Sequence, residues 1–295
     1  MILVTGAAGF IGRSLVKKLV DKGHKVKCFV LNGDNNVKKI ENLPVKIVYG
    51  DILKVETIET ALDKVDTVIH LAALVGSPNK SLCYKINKDG TKNVIDACKK
   101  KGVKRIIATT SVAATFKHLG AYGKTKLESE KMILSSSLDA TLVRPTLVYG
   151  KEGLEFEKIV DFVKKLPVVP MVGGGNALKQ PVYVDDVASL IVNIIESKDT
   201  IGKVYPAGGP DVVTFNKLIY LIGEGLGKKK SIAHIPKWLC YIMAKSLGMV
   251  TKNPPITPDQ VLEIDEDAII DNTETILKFK YRPTKLRDGL KLSLK

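Results

Sequence analysis

The chain has 295 residues, of which 45% are hydrophobic and 26% are charged, which is typical of a globular protein with a full α/β core. No stretch approaches the ~18 consecutive apolar residues that a membrane-spanning helix needs, and an apolar strand already begins at Ile2. We therefore expect neither a membrane span nor a signal peptide.

The net charge of +15 raises the question of a nucleic-acid partner. The 46 basic residues are 41 lysines and five arginines, spread along the whole chain, and the lysine runs at 99–101 and 228–230 lack interleaved aromatic residues. Nucleic-acid-binding proteins usually concentrate their basic residues on one face. The sequence therefore predicts a solvated lysine-rich surface that attracts anionic cofactors and substrates, and no nucleic-acid partner.

The four cysteines also exclude a class of sites. Cys28, Cys83, Cys98 and Cys240 are scattered, with neither a CxxC pair nor metal-ligand spacing. We expect a reduced, cytoplasmic protein without a metal site.

The first dozen residues predict a strand, a glycine turn and a helix. The apolar run 2–4 is followed by Gly6, Gly9 and Gly12, and residues 14–20 then show helical spacing of their apolar side chains. Glycines let the backbone approach a pyrophosphate, and the helix N-terminus offers free N–H groups and a partial positive charge. In this position the pattern is typical of a Rossmann-type dinucleotide site, although a tight turn without a ligand is the alternative.

Apolar runs then alternate with amphipathic segments such as 57–62 and 93–98. The predicted strands lie at 2–4, 25–31, 45–49, 66–71, 105–110 and 141–143. This alternation predicts an α/β fold with a Rossmann-type, doubly wound parallel sheet. Ligands of such sheets bind beyond the carboxyl ends of the strands, so functional residues are expected directly after them. Those positions are Gly6, Asn32, Asp51, Ala72 and Ser111.

The pattern loosens after Gly150. We predict helices at 154–166, at 181–188 continuing to about residue 196, and at 214–226 with Thr214 as N-cap. A loop is expected at 167–175, a strand at 203–206, and short helices with loops in the proline-rich remainder. The expected organisation is a dinucleotide-binding domain at 1–150, to which 179–207 returns. A smaller C-terminal substrate lobe would comprise 151–178 and 208–295.

Tyr122 and Lys126 are the strongest candidates for catalysis. Four residues apart, they lie on one face of a helix, where the ammonium group can lower the pKa of the phenol. Ser111, at the end of the fifth predicted strand, can hydrogen-bond a substrate carbonyl or hydroxyl. A solvated pair on a helix surface is the alternative, but the position downstream of the glycine turn favours a functional pair.

Together these features resemble the short-chain dehydrogenase/reductase family in its extended, epimerase/dehydratase-like branch, over nearly the whole chain. The motifs that carry the resemblance are Thr5 to Gly12, Gly50-Asp51-Ile52, His70 to Ala73, Asn87 with Gly90-Thr91, Thr110-Ser111, Tyr122 with Lys126, Arg144-Pro145, Val148-Tyr149-Gly150 and Tyr183 to Asp186.

The resemblance implies a role for each candidate. Tyr122 would be the general acid/base, Lys126 would tune it and hold the nicotinamide ribose, and Ser111 would polarise the reacting oxygen. Asn87 would lie under the active-site helix, whereas His70 is expected to be a packed histidine at a strand end. The implied cofactor-binding residues are Gly6, Gly9, Phe10, Ile11, Gly12, Leu31, Asp51, Ile52, Leu71, Ala72, Ala73, Asn87, Thr109, Tyr122, Lys126 and Pro145, with Asp51 and Ile52 at the adenine.

The end of the second strand leaves the cofactor open between NAD and NADP. An acidic residue there accepts hydrogen bonds from the ribose and repels a 2′-phosphate. Val30-Leu31-Asn32 offers neither that carboxylate nor the arginine of NADP-preferring relatives. Arg13 could reach a 2′-phosphate, and Asp34 could disfavour it.

Other departures from the family pattern concern the substrate. Thr110-Ser111-Val112 replaces the Thr-Asp-Glu of sugar dehydratases, so dehydration is not expected. Nucleotide-sugar epimerases usually hold the diphosphate with an Asn and an Arg, where this chain has Leu147 and Lys179-Gln180-Pro181. Lys179 is one candidate donor to a diphosphate.

Three functions remain open at this point. The first is an NAD(P)-dependent oxidoreductase that transfers hydride at a carbinol or carbonyl carbon of a small molecule, which can be anionic or nucleotide-linked. The second is a nucleotide-sugar epimerase with retained NAD. The third is a non-catalytic dinucleotide-binding scaffold, since Gln180-Pro181 is similar to complex I accessory-subunit-like proteins. By family analogy a homodimer would pair through the helices at 87–100 and 122–134.

Overall fold

The computed structural model describes residues 1–251 and 254–294. Its strands are β1 (Ile2–Thr5), β2 (Val26–Val30), β3 (Lys46–Tyr49), β4 (Thr67–His70), β5 (Arg105–Thr109), β6 (Asp139–Pro145), β7 (Val148–Tyr149), β8 (Val168–Val172), β9 (Leu178–Lys179), β10 (Val182–Tyr183), β11 (Lys203–Ala207), β12 (Val213–Thr214) and β13 (Ser231–Ile235).

The α-helices are α1 (Phe10–Asp21), α2 (Val55–Ala61), α3 (Lys80–Tyr84), α4 (Gly90–Lys101), α5 (Ala121–Leu134), α6 (Leu154–Lys165), α7 (Val184–Ile195), α8 (Phe215–Gly225), α9 (Lys237–Val250), α10 (Pro258–Glu263), α11 (Thr273–Phe279) and α12 (Leu286–Ser293). A π-helical turn, Lys85–Asp89, joins α3 to α4. Within the residues described, no helix combines the length and hydropathy needed to cross a bilayer.

Seven parallel strands form the central sheet in the order β11-β6-β5-β4-β1-β2-β3. Along β1 the buried side chains alternate between two layers: Ile2 and Val4 pack with α1 and α7, and Leu3 packs with α2 and α4. Every residue of β1 is buried, which explains its continuous apolar sequence. The predicted α/β fold with a doubly wound parallel sheet is confirmed, and the sheet contains the six strands predicted before Gly150 and the one predicted at 203–206.

The chain order reverses at β1, since β2 and β3 lie on one side of it and β4, β5 and β6 on the other. The crevice beyond the carboxyl ends of β1 and β4 is the place where this fold binds ligands. Segment 179–207 contributes β11, which pairs with β6 at the far edge of the sheet.

The segment after Gly150 departs from the sequence analysis in several places. Residues 182–183, expected to begin a helix, form β10, and the remainder, expected to hold short helices and loops, contains β13 and the 14-residue helix α9. Residues 167–175, expected to be a loop, contain β8, which pairs in parallel with β13 from Val168↔Ser231 to Val172↔Ile235. The prolines and glycines around β8 are typical of loops. Its partner strand lies some sixty residues further on, so local sequence did not reveal the pairing. The helix at 215–225 with Thr214 as N-cap is confirmed, because the Thr214 side chain accepts from the Lys217 N–H.

All four cysteines are buried free thiols. Burial raises the pKa of Cys28 and of Cys98 to about 12, so both stay protonated at neutral pH.

His70 is a packed residue at the end of β4, as predicted. Its ring nitrogens contact the hydroxyls of Thr5, at 2.7 Å from Nδ1, and of Thr91, at 3.0 Å from Nε2. Burial, assisted by the charge of Lys126, lowers the pKa of His70 to about 3. The native protein therefore holds this imidazole neutral.

We predict that His70→Asn makes the protein less sensitive to acid. The unfolded chain binds a proton at His70 below its ordinary pKa of 6.5, whereas the folded chain does so only near 3, so stability is lost as the pH falls between these values. Two pH units below 6.5 the loss is about 3 kcal/mol. Thermal melting from pH 7 to 4.5 should show a shallower decline for His70→Asn than for the wild type or for His234→Asn, at an exposed histidine. Parallel declines would contradict the assignment.

Candidate active site

A continuous cavity of about 1240 Å³ runs from the glycine turn, across the carboxyl ends of the central strands, to the C-terminal elements. Of the residues predicted to bind cofactor or to act in catalysis, only Asn87 is not in its wall. Those in the wall are Gly6, Gly9, Phe10, Ile11, Gly12, Leu31, Asp51, Ile52, Leu71, Ala72, Ala73, Thr109, Ser111, Tyr122, Lys126 and Pro145.

The glycine turn between β1 and α1 has no room for side chains. Gly6 has φ +67°, and a Cβ there would lie 2.8 Å from the Ala72 backbone nitrogen. A Cβ at Gly12 would overlap the Gly6 carbonyl oxygen. These glycines bring α1 and the segment after β4 against the turn, and the turn itself lines the cavity.

The N-terminus of α1 is open toward this cavity. Gly9 is its N-cap, with no side-chain cap among the residues described, and residues 9–12 line the cavity. Backbone N–H groups and the positive end of the helix dipole therefore lie at the wall of this cavity. This arrangement fits the pyrophosphate of a dinucleotide.

At the far end of the glycine turn, the residues after β2 and β3 form the wall. Leu31 is 56% exposed, and the Asp51 side chain accepts from the Leu53 N–H at 2.9 Å. Asp34 lines the cavity and accepts from Asn36 N–H at 2.9 Å, so its carboxylate caps the short helix that follows. Two carboxylates, of Asp34 after β2 and of Asp51 after β3, therefore lie in the wall at this end of the cavity.

Arg13 does not offer a free guanidinium for a 2′-phosphate. It forms a 2.8 Å ion pair with Glu152 and donates to the Ala8 carbonyl at 3.0 Å. Lys39 reaches the same Glu152 oxygen at 2.8 Å.

Ser111, Tyr122 and Lys126 meet in the middle of the cavity. Ser111 follows β5, and its hydroxyl accepts from the Ala113 N–H at 3.2 Å. Tyr122 stands in the first turn of α5, and Lys126, one turn later, donates from Nζ to the Thr109 carbonyl at 2.5 Å. The strand end and the helix therefore bring one hydroxyl, one phenol and one ammonium to a common wall.

The pKa shifts of this group differ from the expected lowering of the phenol. Burial raises the pKa of Tyr122 to about 12; a hydrogen bond from Ser111 opposes the rise, and Glu263 adds to it. Burial also lowers the pKa of Lys126 to about 8, against the charges of Cys83 and Glu130. In the protein without cofactor, desolvation of the Tyr122 phenolate outweighs the hydrogen bond from Ser111. Tyr122 is therefore a protonated acid at neutral pH.

Asn87 lies behind the cavity wall, and its expected role in binding the cofactor stays a prediction. Its side chain accepts from the Leu74 N–H at 2.6 Å and donates to the Leu74 carbonyl at 3.0 Å and to the Thr125 hydroxyl at 3.1 Å. It therefore ties the segment after β4 to the helix of Tyr122 and Lys126. The π-helical turn around Asn87 is the backbone form often found at functional sites.

Beyond Tyr122 lies a part of the cavity that we call the apolar chamber. Most of its residues lie in the segments predicted as the substrate lobe, 151–178 and 208–295, but the sequence analysis did not predict their apolar wall. The chamber wall is built from α6, β8, α8, β13, α9 and the segment before α10. The apolar residues of this wall are Leu147, Leu154, Ile159, Phe162, Val169, Met171, Val172, Phe215, Ile219, Ile235, Met243, Leu247 and Ile256. The elements come from both ends of the segment after Gly150, and no local pattern joins them.

The charged residues of the chamber are engaged with the protein. Glu155 pairs with Lys158 at 2.9 Å, and Lys179 donates to the backbone carbonyls of Ile264 and Glu266 at 3.0 and 2.6 Å. Burial lowers the pKa of Lys179. Lys179, the predicted donor to a substrate diphosphate, instead anchors the segment after α10.

Glu263, also missed from sequence, faces the catalytic candidates. Its carboxylate accepts from the Gly120 N–H at 2.6 Å and thereby holds the start of α5. Burial, followed by Asp259 and Glu266, raises its pKa, while the Gly120 hydrogen bond opposes the rise.

Within the described residues, no cluster of three His, Cys, Asp or Glu side chains is suited to a metal ion.

Known proteins resemble this chain along nearly its whole length. Sterol-4-alpha-carboxylate 3-dehydrogenase, decarboxylating, of Mus musculus is 27% identical, covering 84% of this chain and 74% of that protein. The mitochondrial NADH dehydrogenase (ubiquinone) 1 alpha subcomplex subunit 9 of Arabidopsis thaliana is 27% identical, with 94% and 72% coverage. UDP-glucose 4-epimerase of Thermotoga maritima shares the fold, with TM-score 0.80, 24% identity, and 99% and 97% coverage.

The family model described as the NAD dependent epimerase/dehydratase family matches residues 2–208, well over half of the chain. The glycine turn, the open helix N-terminus and the central strands all lie within that match. The chain belongs to the NAD dependent epimerase/dehydratase family and is an NAD-dependent oxidoreductase or epimerase.

Proposed function

We propose that this enzyme interconverts a secondary alcohol and a ketone on a largely apolar substrate, with NAD as its hydride carrier. The observation that carries the proposal is the apolar chamber, which opens directly from the group of Ser111, Tyr122 and Lys126. The likeness to a sterol dehydrogenase over 84% of this chain supports an apolar substrate.

The chamber is poorly suited to a nucleotide sugar. A diphosphate needs charged or backbone donors, and the two lysines of the chamber are bound to Glu155 and to backbone carbonyls. Thirteen apolar side chains instead surround the space, so an alkyl or polycyclic body is desolvated there at little cost.

Tyr122 is the proton donor or acceptor of the proposed reaction. When bound, NADH would supply the hydride to the substrate carbon, and NAD+ would accept it in the reverse direction. With its pKa raised to about 12, Tyr122 holds its proton at neutral pH and donates it to a carbonyl oxygen that is being reduced. Ser111 lies beside this phenol and stabilises the charge developing on the same oxygen.

Lys126 supports this chemistry as a buried cation. Its Nζ is held by the Thr109 carbonyl, which keeps the ammonium on the wall that Tyr122 shares. A positive charge in this place stabilises both a phenolate and an alkoxide, so it favours proton transfer in either direction.

Asp34 supports a preference for NAD over NADP. It is the acidic residue in the cavity wall after β2, while the guanidinium of Arg13 is paired with Glu152. A carboxylate there repels a 2′-phosphate and can accept hydrogen bonds from the ribose.

Further assignments are part of the same proposal. Residues 1–150 with 179–207 form the dinucleotide-binding domain, and 151–178 with 208–295 form the substrate lobe.

Free buried thiols support a reducing, cytoplasmic location. The proposed homodimer would use α4 and α5, whose outer surface carries the Lys92–Asp96 pair and exposed Lys124; light scattering after gel filtration would test it.

Tyr122→Phe should lower kcat by about 10²–10⁴ while changing the NADH dissociation constant far less, because the ring is kept and only the hydroxyl group is lost. The assay follows NADH formation or consumption with hydroxysteroids, 3-ketosteroids and long-chain secondary alcohols. Tyr220→Phe, at an exposed tyrosine of α8, is the control.

The absence of NADH formation or consumption with every apolar substrate would overturn the proposed function. Interconversion of UDP- or dTDP-sugars that Tyr122→Phe abolishes would support the epimerase instead, particularly if the denatured protein releases tightly held NAD. Unchanged turnover in Tyr122→Phe would contradict the role of the phenol in either reaction.

Lys126→Met should reduce turnover but stabilise the fold. A lysine with pKa near 8 in the folded chain and 10.5 when unfolded costs up to about 3 kcal/mol below pH 8. The gain in melting temperature should therefore be largest at pH 7 and should shrink as the pH rises from 8 toward 10.5, where the native lysine is neutral. Lys17→Met, at an exposed lysine of α1, should show neither effect.

Asp34→Asn should strengthen NADPH binding relative to NADH binding by about 10-fold, seen as a fall in the ratio of the NADPH to the NADH dissociation constant. Removing a negative charge near the 2′-phosphate is worth on the order of 1.4 kcal/mol. Fluorescence titration with each cofactor measures the ratio, with Glu41→Gln as the exposed control. An unchanged ratio would place the ribose away from Asp34.

A further inference from the structure

Helix α9 has apolar side chains on two sides. On the inner side Cys240, Met243 and Leu247 line the cavity. On the outer side Trp238 is 65% exposed, Ile242 is 54% exposed, and other apolar side chains of the helix are also open to solvent. An amphipathic helix on a protein surface normally exposes polar residues there, so this outer side is unusual.

The outer residues form one continuous face. Positions 238, 241, 242, 245 and 249 recur at helical spacing, and all five side chains are exposed. Four of them are apolar, and the fifth is Lys245. Tryptophan and tyrosine are the residues that prefer the boundary between lipid headgroups and acyl chains. We call these five residues the α9 face.

Helix α9 itself carries positive charge and no acidic residue. It contains Lys237, which pairs with Asp265 at 3.0 Å, and exposed Lys245, and exposed Lys229 lies in the turn before β13. The whole chain carries a charge of +15. A lysine within an apolar face can extend its ammonium to lipid phosphates while its methylene groups stay among the apolar neighbours. The α9 face thus complements a surface with an apolar layer beneath anionic headgroups.

The α9 face is continuous with the mouth of the apolar chamber. Met243 and Leu247 line the cavity and are also 48% and 38% exposed. Exposed Leu154, Phe162 and Leu82 belong to the same cavity wall. The exposed apolar surface therefore runs from the outside of α9 into the cavity.

We propose that the α9 face docks on an anionic lipid bilayer, with the mouth of the chamber at the lipid surface. A helix of 14 residues is about 21 Å long, too short to cross a hydrocarbon core of ~30 Å, so it lies in the plane of the interface. The evidence for docking is the exposed α9 face and does not involve the proposed function. Entry of the substrate from the bilayer also depends on the proposed function.

Trp238 is the only tryptophan of the chain, so its fluorescence reports on the α9 face directly. We expect its emission to shift to shorter wavelength when vesicles of phosphatidylcholine with phosphatidylglycerol are added. Brominated lipids should quench it, and added salt should weaken the binding. Vesicles of phosphatidylcholine alone should bind at least ~10-fold more weakly.

Ile242→Glu should lower affinity for the anionic vesicles by at least ~10-fold, since it removes an apolar side chain from the interface and adds a repelled charge. Leu277→Glu, at a 75% exposed leucine of α11, is the matched control and should bind as the wild type does. Equal melting temperatures and equal NADH binding would show that both variants are folded.

The proposal is overturned if Trp238 emission does not respond to anionic vesicles, or if Ile242→Glu and wild type bind alike. It is also overturned if the emission shifts with protein concentration in the absence of lipid, which would mean that a second copy covers the face. Vesicle binding needs no turnover, so this experiment can fail while the proposed oxidoreductase stands, and the reverse also holds.

Discussion

The close approach of three backbone segments at the glycine turn is the constraint on which the site depends. Gly6 lies against the backbone of Ala72, and Gly12 against the carbonyl of Gly6, so β1, the start of α1 and the end of β4 meet without intervening side chains. The same contacts leave backbone N–H groups facing the cavity. A structural requirement of close packing and a chemical requirement of anion binding are met by the same residues.

Around this turn, burial determines the protonation states of the candidate catalytic groups. His70 and Lys126 are buried and Tyr122 is partly buried, and for each of them desolvation, the largest cause, shifts the pKa toward the neutral form. The phenol therefore keeps its proton, and the lysine carries a charge that is held at an energetic cost. Such a cost is common at sites where stability is exchanged for reactivity.

The same chain presents very different surfaces at the two ends of the cavity. The cofactor end is backbone-rich and open to an anionic group, whereas the substrate end has an apolar wall whose charged residues are tied to protein partners. The apolar wall continues to the exposed side of α9. The proposed function and the proposed docking both follow from this contrast, since they place an apolar substrate at the second end and a lipid surface beside α9.

The sequence alone determined the features that depend on local spacing. The six strands, the Gly6–Gly12 turn, the Tyr122–Lys126 pair and the Thr214 cap follow from apolar periodicity, glycine spacing and the four-residue helix repeat, so each was predictable. Only the tertiary structure decided how distant segments meet. It paired β8 with β13, tied Lys179 to carbonyls beyond α10, placed Asn87 behind the cavity wall and brought Glu263 to the start of α5. Those contacts join residues far apart in the chain, and the desolvation that raises the pKa of Tyr122 arises only when they form, because burial is a property of the packed molecule and not of any segment.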